Sequence, residues 1–224
     1  MRRQSTRIVI IDDRPLVCES LKKRINAERD LEVCGQAGDR AEALQLVKVH
    51  RPDLVVVNLR LGAMWGVSLV HELRTRYPGV VALVVSMFDS YFLAERAMKA
   101  GARGFITLEE APKVIIPAIR QVLGGEAYLS PSLTQTAATR LARGGKSSRA
   151  LGVSALSDRE LQVFELAGVG LDSRRIAEAI CLDISTVDTY RARIKSKLRL
   201  QSASEFLQGA ITWVQSRPTI ADRR

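Results

Sequence analysis

Short, uninterrupted apolar runs alternate with helical patterns along residues 1–125 of the chain. The clearest runs cover residues 8–11, 54–57 and 80–85, and two weaker ones cover residues 31–34 and 104–106. Uniformly apolar runs that are rich in β-branched residues are typical of parallel strands buried on both faces. Between and after these runs, apolar residues recur at helical spacing. Five strands that alternate with five helices predict an α/β fold built on a doubly wound, five-stranded parallel sheet.

Strand patterns do not continue beyond this region. Ser130 and Pro131 predict the start of a further helix, and the stretch 142–155, which is rich in Gly, Ser and Arg, predicts an exposed linker. These boundaries predict an α/β domain at residues 6–123, a helical extension with a linker at 124–153, and a second domain at 154–216.

The second domain carries the pattern of four short helices. Candidate capping residues precede these helices in turn at Ser157, Asp172, Asp183 and Ser202. Ser157 and Ser202 are each followed three residues later by Glu, which is the capping-box pattern. Gly168 and Gly170 are expected to end the first helix. Four short helices with tight turns, the third of them basic outside and apolar inside, predict an all-α helix-turn-helix domain.

The chain has a formal charge of +10, from 34 Lys and Arg residues against 24 Asp and Glu residues. A basic excess favours polyanionic partners, above all nucleic acid. The segment 190–199, YRARIKSKLR, contains five basic residues and no acidic one, and it falls in the third helix of the second domain. This local concentration, more than the total charge, makes double-stranded DNA the expected partner.

Membrane, secretory and metal-binding classes are disfavoured. The longest apolar run has six residues, whereas a membrane-spanning helix needs about 20. The basic N-terminus is not followed by the roughly 7–15 apolar residues of a secretory signal, so we expect a cytoplasmic protein without membrane contact. The three cysteines, at 18, 34 and 181, are widely spaced, and the two histidines show no ligand pattern. We therefore expect no metal site and no cofactor.

Polar residues follow the predicted strands of the α/β domain. They are Asp12 and Asp13 after the first strand, Asn58 after the third, Ser86 after the fourth and Thr107 after the fifth. The apolar residue Leu108 comes next after Thr107. Because ligands bind beyond the carboxyl ends of parallel strands, these positions form a candidate site. Two adjacent carboxylates suit Mg²⁺. Alternatively, they cap the next helix, which begins near Arg14.

This arrangement resembles the receiver domain of two-component response regulators, a flavodoxin-like fold, over residues 6–123. The resemblance rests on the acidic pair Asp12-Asp13, PDLVVVN at 52–58, Ser86 at its strand end and GARGF at 101–105. It implies that the acidic pair holds Mg²⁺ and that the residue at position 58 accepts a phosphoryl group. It also implies that Ser86 and a Lys contact the phosphoryl oxygens and that Phe105 reports the state.

Two departures from the receiver pattern affect the chemistry. The accepting position holds Asn58, and a neutral amide cannot form the acyl phosphate that an aspartate forms. The Lys position holds Leu108, which leaves a phosphoryl group without its fixed cation. We therefore predict a degenerate receiver that is not an enzyme and carries out no phosphotransfer.

The remaining receiver residues leave alternatives open. Asp12, Asp13, Ser86 and Phe105 can be relics kept for packing, a weak metal site, or part of a pocket for another ligand or partner. Trp65 lies in the loop expected above this site. Its ring can cover the acidic pocket or pack in the loop in the ordinary way.

The second domain resembles the LuxR/NarL-type helix-turn-helix domain over residues 154–215. The resemblance rests on LSDRELQVFEL at 156–166, GLDSRRIAEAI at 170–180 and TVDTYRARIKSKL at 186–198. It implies that the third helix enters the major groove and that the fourth packs between the protomers of a dimer. On the fourth helix, the residues expected at such an interface are Phe206, Ala210, Ile211 and Val214.

The third helix, residues 184–198, offers short polar side chains for base edges and basic ones for phosphates. With Val187, Ile194 and Leu198 facing inward, the helical period places Ser185 and Thr189 on the outer face. Arg191 falls nearer the inner face, from which its long stem can reach a phosphate. The predicted DNA contacts are Arg174, Arg175, Ser185, Thr186, Asp188, Thr189, Arg191, Arg193, Lys195 and Lys197.

These patterns together favour a transcriptional regulator that acts as a homodimer on DNA without Asp phosphorylation. Its receiver is expected to serve as a dimerisation module or as a docking site for a protein partner. Three alternatives stay open. The receiver can be phosphorylated at an unconventional residue, it can bind a small ligand, or the chain can be a partner protein that no longer reads DNA.

Overall fold

The computed structural model describes residues 5–62, 64–142 and 152–215. The chain forms two compact units that divide between Ala137 and Ala138. Most of the predicted linker, residues 143–151, lies outside the described residues, and so does residue 216 at the predicted end of the second domain.

A parallel sheet of six strands forms the centre of the first unit. The strands of this unit are β1 (Thr6–Ile11), β2 (Leu31–Ala37), β3 (Leu54–Asn58), β4 (Arg60–Leu61), β5 (Met64–Trp65), β6 (Val81–Ser86), β7 (Gly104–Thr107) and β8 (Tyr128–Leu129). The order in the sheet is β2-β1-β3-β6-β7-β8, and every neighbouring pair is parallel. β4 and β5 form a separate antiparallel hairpin in the loop after β3.

The predicted doubly wound α/β fold is confirmed, with one more strand in the sheet than the five expected. The additional strand, β8, pairs with the edge strand β7. The amide of Tyr128 donates to the carbonyl of Arg103, and the amide of Ser130 donates to that of Phe105. Two residues are too few to produce a periodic pattern, so the sequence carries no strand signal there.

Helices cover both faces of the sheet. They are α1 (Pro15–Asn26), α2 (Arg40–His50), α3 (Gly66–Arg76), α4 (Tyr91–Ala100) and α5 (Ala111–Leu123). A further helix, α6 (Pro131–Ala142), follows β8. Ile8 and Ile10 share one apolar core with residues of α1 and α5. Val9 and Val55 are also buried, and alternation along a strand directs them to the opposite face. Among the helices, α2 contacts β1 and β2, and α3 contacts β3 and β6.

The second unit is helical, as predicted. A short 3-10 helix (Val153–Ala155) precedes α7 (Asp158–Gly168), α8 (Ser173–Ile180), α9 (Ile184–Leu198) and α10 (Ala203–Gln215). α7 packs against α10 and α9, and α8 packs against α9. At the centre, the rings of Phe164 and Phe206 meet edge to face, with centroids 5.5 Å apart. Such aromatic pairs add to the free energy gained by burial.

Three of the four helix starts are capped by the expected side chains. Ser157 and Glu160 form the complete capping box, and Asp172 accepts a hydrogen bond from the amide of Arg175. Ser202 accepts from the amide of Glu205, but the Glu205 carboxylate accepts from Gln201, one residue before the cap. Asp183 stands at the cap position of α9, yet its side chain makes no capping hydrogen bond in the described structure, which corrects the prediction there.

Gly168 allows α7 and α10 to approach closely. A Cβ atom at this position would overlap the carbonyl group of Ala210 on α10. The adjacent turn depends on a different glycine, because Gly170 has a φ of 92°, which favours a residue without a side chain. Gly168 therefore serves helix packing, whereas Gly170 serves the turn that follows the helix.

We predict that Gly168→Ala lowers the free energy of unfolding of the second unit by about 1–3 kcal/mol, because backbone must move to admit the methyl group. Gly209→Ala is the matched control on α10, since a Cβ there meets only ordinary contacts. The control is expected to be neutral or stabilising by up to about 1 kcal/mol, because Ala favours the helix. Amide hydrogen exchange in α7 measures both effects, and equal protection in the two variants would refute this role of Gly168.

Candidate functional site

The carboxyl ends of four neighbouring strands bring together the residues of the predicted receiver site. Asp12 follows β1, Asn58 ends β3, Ser86 ends β6 and Thr107 ends β7, and all four residues are buried. Buried polar groups require hydrogen-bond partners. How these groups are satisfied therefore decides what the site can bind.

Arg14 binds Asp12 through both of its carboxylate oxygens. Nε of Arg14 donates to Oδ1 at 2.9 Å, and Nη2 donates to Oδ2 at 2.8 Å. The backbone amide of Arg14 also donates to Oδ1, at 2.9 Å. The hydrogen bonds to Asp12 raise the pKa of Arg14 despite the opposing effect of burial, so the guanidinium stays charged. A bidentate pair of this kind is among the stronger charge-assisted contacts. The chain thus supplies its own cation at this edge of the sheet.

Asp13 and Asn58 also have partners within the chain. Oδ2 of Asp13 accepts from the amide of Gly62 at 2.8 Å, which ties the turn of the β4–β5 hairpin to the segment after β1. Oδ1 of Asn58 accepts from the amide of Arg60 at 3.3 Å. Neither acid caps α1, whose cap position is Arg14. Of the two open interpretations of the acidic pair, helix capping is therefore wrong.

Ser86, Phe105 and Leu108 complete the predicted site. Oγ of Ser86 accepts from the amide of Phe88 at 2.9 Å and donates to the carbonyl oxygen of the same residue at 3.1 Å. Phe105 is fully buried. Leu108 packs against the apolar core shared by α1 and α5. Trp65, at the end of the hairpin, is 2% exposed, so its ring is part of the packed interior.

A polar cluster around Glu110 was missed at the sequence level. Its carboxylate accepts from the hydroxyl of Thr107 at 2.8 Å, and from the hydroxyl of Ser132 at 3.0 Å. Burial alone raises the pKa of Glu110, but hydrogen bonds from Ser130, Thr107 and Ser132 outweigh it and lower the pKa. The cluster fastens the start of α6 to the loop after β7. The sequence indicated only that a helix begins at Ser130 and Pro131, and it did not indicate that these residues lie near Glu110.

The outer face of α9 carries most of the predicted DNA contacts. Exposed side chains there include Ser185, Asp188, Thr189 and Arg193, while Val187 and Ile194 are buried as expected. Arg174 and Arg175, on α8, are also exposed. Thr186, Arg191 and Lys195 are half-buried. These placements are those that the helical period predicted, but they do not test contact with DNA.

Two predicted DNA contacts, Asp188 and Arg191, are linked through the hydroxyl of Ser173. The hydroxyl of Ser173 donates to Oδ1 of Asp188 at 2.8 Å, and Nη1 of Arg191 donates to the same hydroxyl group at 3.3 Å. The guanidinium of Arg191 also lies over the ring of Phe206, 4.7 Å from its centroid. Cation–π contact of this kind favours a guanidinium held on the ring. Arg191 therefore links α9 to both α8 and α10.

Lys197 is paired with a buried carboxylate. Its Nζ donates to Oε2 of Glu160 at 2.7 Å, and this oxygen also accepts from the amide of Ser157 at 2.7 Å. The side chain of Glu160 is 4% exposed and that of Lys197 is 40% exposed. Burial alone raises the pKa of Glu160, but the hydrogen bonds from Lys197 and Ser157 lower it below its usual value. One ion pair therefore anchors the recognition-like helix α9 to the start of α7.

The residues expected at a dimer interface fall into two groups. Phe206 and Ala210 are buried inside the unit, so they are not available to a partner and the prediction is corrected for these two. Ile211 and Val214 are half-buried, and Leu207, which was not predicted, is 41% exposed. The apolar surface of α10 is formed by this second group.

Two further features bear on function. Among the described residues, no group of three or more His, Cys, Asp or Glu side chains is placed to hold a metal ion. Likewise, no helix in the described part of the chain is long and apolar enough to cross a membrane.

Comparison with known proteins gives matches for both units. Residues 8–120 match the response regulator receiver domain, and residues 154–210 match the bacterial regulatory proteins of the luxR family. The transcriptional activator protein ExaE of Pseudomonas putida is 33% identical over 210 residues, covering 91% of this chain and 95% of ExaE. The oxygen regulatory protein NreC of Staphylococcus epidermidis is 29% identical, covering 92% of this chain and 96% of NreC.

Solved structures also resemble the chain. A two-component response regulator of the LuxR family from an Aurantimonas species has a TM-score of 0.59 at 29% identity and covers 62% of this chain and 99% of its own. The response regulator RcsB of Salmonella typhimurium has a TM-score of 0.69 at 18% identity and covers 93% of this chain and 98% of its own. At that identity the second likeness concerns the fold alone.

We predict that Glu160→Gln lowers the stability of the second unit by about 1–3 kcal/mol, because a buried charge-assisted network is weakened. Since the folded-state pKa of Glu160 is lowered, its contribution is present above the unfolded-state pKa and is lost as pH falls through the folded-state pKa. Wild-type stability should therefore decline more steeply below about pH 4.5 than that of the variant. Amide hydrogen exchange in α7 and α9 measures this difference.

The matched control is Glu178→Gln, which removes an exposed pair with Arg174. Exposed pairs contribute about 0–1 kcal/mol, so little change is expected. If the two variants lost the same stability at neutral pH, the Glu160–Lys197 pair would not be the anchor of α9.

Proposed function

Because the chain belongs to the response regulators that join a receiver domain to a LuxR-type DNA-binding domain, we propose that it regulates transcription as a phosphorylation-independent homodimer. The DNA-binding unit is proposed to read double-stranded DNA, and the receiver to act as a dimerisation or protein-docking module. In this proposal the receiver has no enzymatic activity.

The observation that carries the proposal is the Arg14–Asp12 ion pair beside Asn58. Phosphoryl transfer to a receiver requires a carboxylate nucleophile, and position 58 offers an amide. It also requires compensating positive charge on the phosphoryl oxygens. The cation of this site, Arg14, is instead bound to both oxygens of Asp12. The charge of Asp12 is thus balanced by Arg14, a side chain of the same site.

The Mg²⁺ ion that receivers of this family hold does not fit these residues. Mg²⁺ prefers carboxylate oxygens and water in near-octahedral geometry. Here Asp12 is occupied by a guanidinium, Asp13 accepts from the amide of Gly62, and Asn58 brings no charge. A cation would have to displace Arg14 from a buried carboxylate. We therefore propose that this site works without a bound Mg²⁺ ion.

For DNA binding, the exposed part of α9 is the proposed reading surface. Ser185, Thr189 and Arg193 present hydrogen-bonding groups on one face, which suits base edges and phosphates. The guanidinium of Arg191 lies on the ring of Phe206, and the ammonium of Lys197 is paired with Glu160. We therefore assign phosphate contact to Arg193 and Lys195 and a positioning role to Arg191 and Lys197. A dimer of such units would bind half-sites about 10 base pairs apart.

We predict that Arg193→Ala and Lys195→Ala each weaken binding to all DNA sequences and reduce the slope of log affinity against log salt by about 0.9, the value for one lost phosphate contact. Lys197→Met is expected to leave the slope unchanged, although affinity can fall because α9 loses its anchor. Fluorescence anisotropy over a salt series measures both quantities. A slope that decreases for Lys197→Met and stays constant for Arg193→Ala would invert the assignment.

We also predict that the wild-type chain takes up no phosphoryl group from acetyl phosphate and Mg²⁺, as measured by intact mass. The variant Asn58→Asp with Leu108→Lys regains a nucleophile and a cation, yet it should label poorly while Arg14 occupies Asp12. Adding Arg14→Asn to these two changes should increase labelling. This triple variant is also the positive control for the activity of acetyl phosphate as the donor. A phosphoryl adduct on the wild-type chain would overturn the proposal and would support phosphorylation at an unconventional residue.

A further inference from the structure

An apolar groove lies between α1 and α5 on the surface of the first unit. Its volume is about 520 Å³, within the range of roughly 300–1,000 Å³ that is typical of small-molecule sites. The apolar wall is formed mainly by Leu16, Val17, Leu21, Leu108, Pro112 and Ile115. All of its lining residues belong to the first unit, and neither Asp12 nor Arg14 is among them.

Two leucines give the groove its character. Leu108 occupies the position at which the receiver pattern has a Lys, and here it lines the groove with a hydrocarbon surface in place of an ammonium group. Leu16 is 87% exposed at the lip, although it is large and apolar. Contact with water at such a residue is unfavourable, and covering it with an apolar ligand would release that free energy.

The polar residues that line the groove lie on α1, and two of the three are positively charged. Ser20, Lys23 and Arg24 line it together with the apolar residues. Lys23 and Arg24 have no ion pair or side-chain hydrogen bond within the described residues, and both are exposed. The lining thus combines an apolar wall with two available cations and no acid.

We propose that this groove binds a free amphipathic carboxylate, with its hydrocarbon chain on Leu16, Leu108 and Pro112 and its head group on Lys23 and Arg24. Apolar pockets with a few convergent polar groups are the usual form of ligand sites. The charge of the rim selects an anionic head. This inference goes beyond DNA binding, because it gives the receiver a ligand-sensing role that does not depend on phosphorylation.

The charge of the lining also disfavours a second copy of the chain as the occupant. A symmetric dimer places the same surface on both subunits. A symmetric contact centred on Lys23 and Arg24 would bring these residues of both copies together, and like charges repel when water is excluded. A carboxylate would neutralise this rim.

The test is calorimetric titration of the full-length chain with octanoate, with octanol as the uncharged probe of the same chain length. Octanoate should bind saturably and more tightly than octanol. Leu108→Lys should weaken octanoate binding at least about tenfold, because the apolar wall then carries a charge that must be desolvated. Leu16→Ser, at an exposed position that does not affect the core, should weaken it by roughly threefold to tenfold.

Removal of the rim charges separates the two parts of the site. Lys23→Gln combined with Arg24→Gln should weaken octanoate binding about tenfold and leave octanol binding unchanged. The matched control is Lys22→Gln on the same helix, because Lys22 pairs with Glu19 and does not line the groove. DNA affinity of each unliganded variant, measured in parallel, should remain that of the wild type, so failure of this site is distinguishable from failure of DNA binding.

Several outcomes would overturn the proposal. They are the absence of saturable octanoate binding, equal affinity for octanol, and full binding by both Leu108→Lys and Leu16→Ser. A second copy would be the occupant if sedimentation showed dimers that Leu16→Ser dissociates and octanoate does not. Binding to anionic phospholipid vesicles without binding of free octanoate would identify a lipid surface.

Discussion

The parallel sheet imposes one constraint on the first unit, because it brings the carboxyl ends of β1, β3, β6 and β7 to a single edge. Four polar residues gathered there, Asp12, Asn58, Ser86 and Thr107, are buried, and each needs a hydrogen-bond partner. In this chain the partners are internal. Arg14 pairs with Asp12, the amide of Arg60 donates to Asn58, and the backbone of Phe88 satisfies Ser86. The buried polar groups of this edge are therefore satisfied by the chain itself.

The same physical rule governs the DNA-binding unit. The four basic residues of α9 were all predicted to contact DNA, but a long side chain can also turn toward the rest of its own unit. Glu160 is buried at the capping box of α7 and needs a cation, which Lys197 supplies. The ring of Phe206 holds Arg191. Two basic residues that the sequence suggests for DNA binding therefore also hold α9 against α7 and α10.

Much of the fold could be predicted because burial leaves a periodic trace. The uniformly apolar runs at residues 8–11 and 54–57 are strands buried on both faces, and Ser157 caps α7 as its spacing indicates. β8 was missed because two residues have no period. The contact of Glu110 with Ser132 was missed because the two residues are 22 positions apart in the chain.

Site residues were predictable by position and less so by contact. Strand ends placed Asp12, Asn58 and Ser86 at one edge, but nothing in the sequence showed that Arg14 would fold back onto Asp12. Helical spacing likewise placed Lys197 on a flank of α9 without naming Glu160. For α10, the apolar spacing of Phe206 and Ala210 could not distinguish the core of the unit from the surface of a dimer, since both bury apolar side chains.

The short strand β8 has a consequence for how the receiver could exist by itself. It covers the outer edge of β7, and the amides of Tyr128 and Ser130 satisfy carbonyls of the β7 region. A fragment that ended at residue 123 would uncover that edge and leave those carbonyls to solvent. Unprotected sheet edges add strands from other chains. Such a fragment would tend to aggregate. The segment after α5 therefore protects the edge of the sheet in addition to connecting the two units.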